Sequence, residues 1–391
     1  MTTRRDLLIL AGAVAGLSAC DPPRRTPVTA VPDRLIARTT GGLVTVDGST
    51  TRRWGERSAV SPDGSFVYAM KDGTLTGPAA NAQLEAGWAP EVVSADGTAC
   101  VLRRPGSLLV THGENQTRLP VAGNIQADAF TTDTLGLFVL EWLPAEAPDH
   151  YRVRLMDLGT GALSPLLTRD KRPVPAGAEE EMRGEGRQAV LSPDRQTLYT
   201  LYTHQPGHQH TRNLLAGTRS DVHAFVHVLH LEQRWAYCLD LPHPFGEGPA
   251  ESHAIAIDPD GRRLAVVDLA SGSLAYADTH RLAITSVISV PKGAGTAAVA
   301  LDASRTFLGA GRTVTLLEGG GTSRWTVPSP LRGLHLNHAG DLLYAGGTDE
   351  IVWLDAASGA IRGRVRVPGL QTLRHVLGSQ GRVGGSPDPG T

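Results

Sequence analysis

A turn signal recurs along this chain and leaves few folds open to it. It reads Ser61-Pro62-Asp63-Gly64, Ser94-Ala95-Asp96-Gly97, Ser192-Pro193-Asp194-Arg195 and Asp258-Pro259-Asp260-Gly261. Looser copies are Thr131-Thr132-Asp133-Thr134, Asp302-Ala303-Ser304-Arg305 and Asn337-His338-Ala339-Gly340. Proline presets φ, aspartate caps backbone N–H groups, and glycine accepts positive φ, so the pattern turns a chain sharply. Short apolar segments flank the copies, such as Ala254-Ile255-Ala256-Ile257 before one and Leu264-Ala265-Val266-Val267 after it. Each copy therefore predicts a β-hairpin. A second strand pair often follows, as in Tyr151 to Asp157 before a Gly-Thr-Gly turn and Ile351 to Asp355 before an Ala-Ser-Gly turn.

Four strands per unit, repeating every 33 to 66 residues, predict an all-β fold, a β-propeller of four-stranded blades. No stretch sustains helical periodicity, which excludes an α/β fold. The unit order is inner strand, Ser-Pro-Asp-Gly turn, second strand, then a strand ending in Asp before a Thr-Gly or Ser-Gly turn. It resembles the YVTN-type and lactonase-like propeller families over residues 34–383. Residues 34–54 supply three strands of a unit lacking its first; Leu370 to Gly381 supplies a first strand lacking its unit. Joined in one blade, they close the ring and remove exposed sheet edges. Seven turn copies plus this composite unit favour eight blades, although seven is commoner in the families resembled and Ser61 to Trp88 is poor in strand signal. Residues 384–391, rich in Gly, Pro and Ser, are expected to be a disordered tail.

The first twenty residues predict export. A basic start with Arg4 and Arg5, an apolar run and small residues before Cys20 form a signal peptide. Thr3-Arg4-Arg5-Asp6-Leu7-Leu8 resembles a twin-arginine export motif, and Leu17-Ser18-Ala19-Cys20 resembles a bacterial lipobox. The resemblance implies that Cys20 carries the lipid, palmitate included, after cleavage, holding the protein on the extracytoplasmic side of the cell membrane. General secretory export remains an alternative to the twin-arginine route. Residues 21–33 contain four prolines and suit a tether. With a net charge of -2 there is no broad basic face for nucleic acid. Cys100 and Cys238 fall in apolar strands of different units and are expected to be buried thiols rather than a disulfide.

Four long insertions, 143–150, 169–186, 204–222 and 242–252, lie between second and third strands or between units. Propeller topology sends all of these to one face, around adjacent blades, and long loops in a compact domain usually carry function. Within them, His204, His208 and His210 are the candidate metal ligands, and His243, His253 and Arg187 the candidate ligand-contacting residues. The simpler expectation for the histidine run is an exposed polar loop. Likewise Glu179-Glu180-Glu181 reads as a solvated loop before it reads as a cation site, and His223, Phe225 and His227 share a strand face as half-buried packing residues.

No nucleophile elbow, His-Glu-x-x-His, phosphate-binding loop or Cys-x-x-Cys occurs. Arg57, Glu91, Gln188, His253 and Arg332 stand where lactonase-like propellers place catalytic groups, but they match no catalytic motif. The leading expectation is a non-catalytic, membrane-anchored platform for an envelope protein or glycan. No cofactor is required, and a metal ion is the one these residues would accept. The alternative is a lactonase-like hydrolase or a metal-dependent oxidoreductase using the histidine-rich face.

Overall fold

A computed structural model describes residues 30–183 and 187–378. Eight antiparallel sheets form a propeller. Blade 1 is composite: Leu370–Leu377 pairs with Val31–Thr39, which continues to Gly42–Gly48 and Thr50–Gly55. Blades 2 to 8 follow in chain order, with first strands Ser58–Val60, Ala89–Val93, Asn124–Phe130, Gln188–Leu191, His253–Ile257, Ala297–Leu301 and Leu334–Leu336. The eight-blade count stands, and the strand near the C-terminus closes the ring. Blade 2, poor in strand signal, has three strands of only three residues each beside Val67–Lys71.

The repeated turn is a hydrogen-bonded unit. Ser61 Oγ donates to Asp63 Oδ1 at 2.6 Å, Ser65 N donates to the same oxygen at 3.0 Å, and Phe66 N donates to Ser61 Oγ at 3.0 Å. Ser94, Asp96, Thr98 and Ala99 repeat the arrangement. In the copies that lack the glycine, Thr134 and Arg195 take the left-handed φ that glycine takes at Gly64. At the other strand ends, Asp157 and Asp355 each cap two backbone N–H groups of the following turn.

Alternating side chains put apolar residues on both faces of every blade, so the core is a set of seams between blades. Blades 5 and 6 share Leu201, Val226, Leu239, Ile255 and Val266; blades 7 and 8 share Phe307, Leu316, Leu343 and Val352. The seam between blades 1 and 2 is the thinnest, with Ile36, Leu43 and Val67 as its buried members.

The first strand begins at Val31, inside the stretch read as tether. Val31 and Asp33 are buried because the Tyr344 hydroxyl of blade 8 donates to Asp33 Oδ2 at 2.7 Å. The remainder of that stretch, the signal peptide with Arg4, Arg5 and Cys20, and the tail lie outside the described residues. Among the described residues, no helix is long and apolar enough to cross a membrane.

Candidate functional site

All four insertions arise from blades 4 and 5. One links Gly136–Leu143 to His150–Asp157 within blade 4. The next leaves blade 4, adds Leu167–Thr168 as a parallel strand beside the outer strand Trp235–Asp240 of blade 5, and then enters blade 5. The third links Thr197–Tyr202 to Phe225–His230 and carries the six-residue helix Thr211–Ala216. The fourth leads on to blade 6.

Backbone bonds knit them together. Tyr151 and Met182 exchange N–H···O bonds of 3.0 and 2.9 Å. Gln205 N donates to the His223 carbonyl at 3.0 Å, and His204 N to the Gly246 carbonyl at 3.3 Å. Arg183 N donates to Gln205 Oε1 at 2.9 Å. Residues of all four insertions, among them Pro148, Arg183, His204, Pro206 and Glu247, enclose an open bowl of about 750 Å³.

The acidic run is not a solvated loop. Glu179 pairs with Arg154 at 3.2 Å and Glu181 with Arg152 at 2.5 Å, both arginines coming from blade 4. Glu180 turns inward, only 16 % exposed. Its Oε1 accepts the Thr211 N–H at 2.8 Å. Two flanking arginines neutralise the run's outer members and let the middle one be buried.

The histidine run is not an exposed polar loop either. His208 and His210 are buried, their rings 4.6 Å apart, and both rest on Phe225. His204 does not join them. It takes a left-handed φ of 59°, bonds Thr203 Oγ1 through Nδ1 at 2.8 Å, and lies 6.3 Å from the ring of His253. The cluster that does form is Glu180, His208, His210 and Cys238. Cys238 Sγ lies 2.9 Å from Glu180 Oε2, His210 Nδ1 3.4 Å and His208 Nε2 3.5 Å. The cluster stands against the outer strand of blade 5, away from the ring axis, and opens on a cavity of about 460 Å³ lined by Glu180, Thr211, Arg212, Tyr237 and Cys238.

Burial would raise the Glu180 pKa, but hydrogen bonds from His208 and His210 outweigh it and hold the carboxyl well below its ordinary range. Burial and the neighbouring carboxylate push the Cys238 thiol well above its own range. Cys100 is also a buried free thiol, raised by burial alone.

Of the other named residues, His243 is 75 % exposed at the rim and pairs with Glu247 at 2.9 Å. His253 is fully buried: its Nε2 accepts the Gly246 N–H at 3.1 Å and its Nδ1 lies 3.1 Å from the Pro249 carbonyl. Arg187 joins blades 4 and 5 through Asp128 at 2.5 Å and the Tyr202 hydroxyl at 3.3 Å. Glu91 pairs with Arg103, and Gln188 donates to the His253 carbonyl, so both are engaged within the fold.

Glu180, Cys238 and Asp240 were not expected as partners of the histidines. One signal was available. The tight turn after His230 sets Phe225–His230 against Trp235–Asp240, and that register puts Cys238 opposite His227 and Asp240 opposite Phe225, at the end of the blade from which the histidine insertion leaves.

No protein-family model matches the chain, and no curated protein matches it in sequence. Solved structures do. The structure of apo AztD from Citrobacter koseri is similar at a TM-score of 0.52 and 13 % identity, over 90 % of this chain and 98 % of that one. A crystal structure of Citrobacter koseri AztD gives 0.51 at the same identity and coverage. Dihydro-heme d1 dehydrogenase NirN in complex with DHE aligns at 0.48 and 14 %, over 90 % of this chain and 77 % of that one. At these identities the likeness is one of fold: a β-propeller.

Proposed function

We propose that the chain is an exported lipoprotein, held at the extracytoplasmic face of the membrane through Cys20, whose propeller is a recognition platform for an envelope protein or glycan. The observation that carries the platform reading is the interlocking of all four long insertions on one side of blades 4 and 5. Loops ordered by one another are preorganised, and a preorganised surface loses less conformational entropy on binding. The bowl offers the mixture such a ligand needs: His204 and Arg183 beside Trp142, with Glu247 and Asp149 at its edge. The short turns of the opposite face enclose a smaller cavity of about 300 Å³, lined by Asp194, Trp235 and Asp260 among others.

Photo-crosslinking residues introduced in cells at Pro206 and Glu247, and at Leu135 in an opposite-face turn, test the reading. Adducts from the first two positions and none from Leu135 are expected. Equal or absent adducts at the insertion face would overturn it. Anchoring has its own test: Cys20→Ala is expected to move the protein from the membrane fraction to a precursor or soluble form, and unchanged membrane association would remove the lipoprotein claim.

A further inference from the structure

The cluster behind the insertion face gathers metal-ligating side chains in a buried place. Each imidazole is held from behind. His208 Nδ1 lies 3.1 Å from the Glu181 carbonyl oxygen, and His210 Nε2 lies 2.7 Å from Asp240 Oδ1. With these contacts on the outer side, the other nitrogen of each ring faces Glu180 Oε2 on the inner side. Glu180 is held in the same way, since its Oε1 takes the Thr211 N–H and leaves Oε2 facing inward. The inward side therefore gathers His208 Nε2, His210 Nδ1, Glu180 Oε2 and Cys238 Sγ. The Glu180, His210 and Cys238 donors lie within 4.8 Å of one another. His208 Nε2 is buried, on a side chain 1 % exposed, and faces Glu180 Oε2 at 3.5 Å without a well-formed hydrogen bond. A bound cation can take the place of the protons these groups now share and hold their donor atoms together.

We propose that Glu180, His208, His210 and Cys238 form a zinc site. One sulfur, two imidazole nitrogens and one carboxylate oxygen suit zinc, whereas calcium and magnesium require oxygen ligands. Tetrahedral bonds of about 2.0–2.3 Å set donors roughly 3.3–3.8 Å apart; the separations of 2.9, 3.4 and 3.5 Å around Glu180 Oε2 lie near that spacing, and His208 must move inward to join the three donors that already lie within 4.8 Å of one another. On binding, Cys238 loses its proton to solvent and Asp240 stays in the outer shell, orienting His210. The ion enters from the adjoining cavity, onto which Glu180 and Cys238 both open. His204 takes no part. The inference does not depend on export or on a partner, so it stands or falls apart from the platform reading.

Titrating the purified full chain with zinc against a chromophoric chelator, and with cobalt(II) as a spectroscopic substitute, tests it. One equivalent of metal and a thiolate-to-cobalt charge-transfer band are expected. Cys238→Ser should abolish the band, and His208→Ala should weaken binding by more than the roughly 10–100-fold typical of an outer-shell change. Asp240→Asn should weaken binding about 10–100-fold and keep the band. His204→Ala should match the parent. Should Cys238→Ser or His208→Ala fail to fold by circular dichroism, Asp240→Asn, at a half-exposed position, still decides. No stoichiometric binding, a band that survives Cys238→Ser, full affinity in Asp240→Asn, or a loss in His204→Ala as large as in His208→Ala would overturn the proposal.

Discussion

Blades 5 and 7 are built on the same frame and fill it differently. Blade 7 runs Ala297–Leu301, Arg305–Ala310, Thr313–Glu318 and Gly321–Thr326 with short turns, and its buried side chains include Val299, Leu301, Phe307, Leu308, Val314 and Leu316, with Thr306 and Thr315 as the polar members. Blade 5 has strands of similar length but packs His208, His210, His227 and Gln205 against them, along with Cys238. Buried polar groups are costly unless partnered, and blade 5 alone cannot partner its own. The neighbouring insertion supplies what is missing: Glu180 for the two histidines and the Arg183 N–H for Gln205 Oε1 at 2.9 Å. In this ring the repeating strand is scaffold, and departure from the repeat goes with chemistry.

Several changes would break or sharpen that contrast. The largest effect is expected from removing residues 370–391. The cut deletes the inner strand of blade 1, including buried Leu370 and Leu373, and exposes the edge of Val31–Thr39. Calorimetry should show no cooperative transition, whereas ending the chain at residue 383 should leave melting unchanged. Phe307→Ala comes next. It empties the middle of the seam between blades 7 and 8 and should cost about 3–5 kcal/mol in denaturant unfolding, with no change at the insertion face. Arg154→Ala has the opposite signature. It strands the mostly buried Glu179 carboxylate at a cost of about 1–3 kcal/mol, and hydrogen exchange should rise in residues 169–183 while blade 7 stays protected.

The smallest effect concerns acid. Burial, with His335 and Arg374 nearby, lowers the His375 pKa to about 3, and burial also lowers that of His335. The unfolded chain takes up these protons below about pH 6.5, while the folded ring refuses them, so acidification favours unfolding. Stability should fall by roughly 1–2 kcal/mol between pH 7 and 5 and go on falling towards pH 3. The loss should start at the thin seam of blades 1 and 2, where His375 packs against Gly64. His375→Leu should flatten the profile, and an unchanged slope would place the sensitivity elsewhere.

The frame was legible in the sequence because its turns are local. Ser61, Asp63 and Gly64 find their partners within five residues, as do Ser94, Asp96 and Gly97, so a short window contains the cause of each hairpin. The site was legible only as a cluster of insertions. Which side chains meet inside it depends on contacts 27 to 58 residues apart, such as Glu181 to His208 and Glu180 to Cys238. Periodicity also offered no way to see that Arg152 and Arg154 would neutralise the flanks of the acidic run and allow Glu180 to be buried. His204 shows the limit from the other side: it shares a run with His208 and His210, but its left-handed backbone turns it towards His253.

The composite blade also bears on how the molecule is made. Its inner strand, Leu370–Leu377, pairs with a strand that left the ribosome more than three hundred residues earlier. A growing chain can complete blades 2 to 8 one after another, each from contiguous residues, but the ring stays open until residues 370–377 have been made. Until then the edge of Val31–Thr39 is a free template for pairing with other chains. Residues 31–39 therefore wait for their partner while more than three hundred further residues are made, and a chaperone or export factor that occupied them in that interval would control when closure occurs.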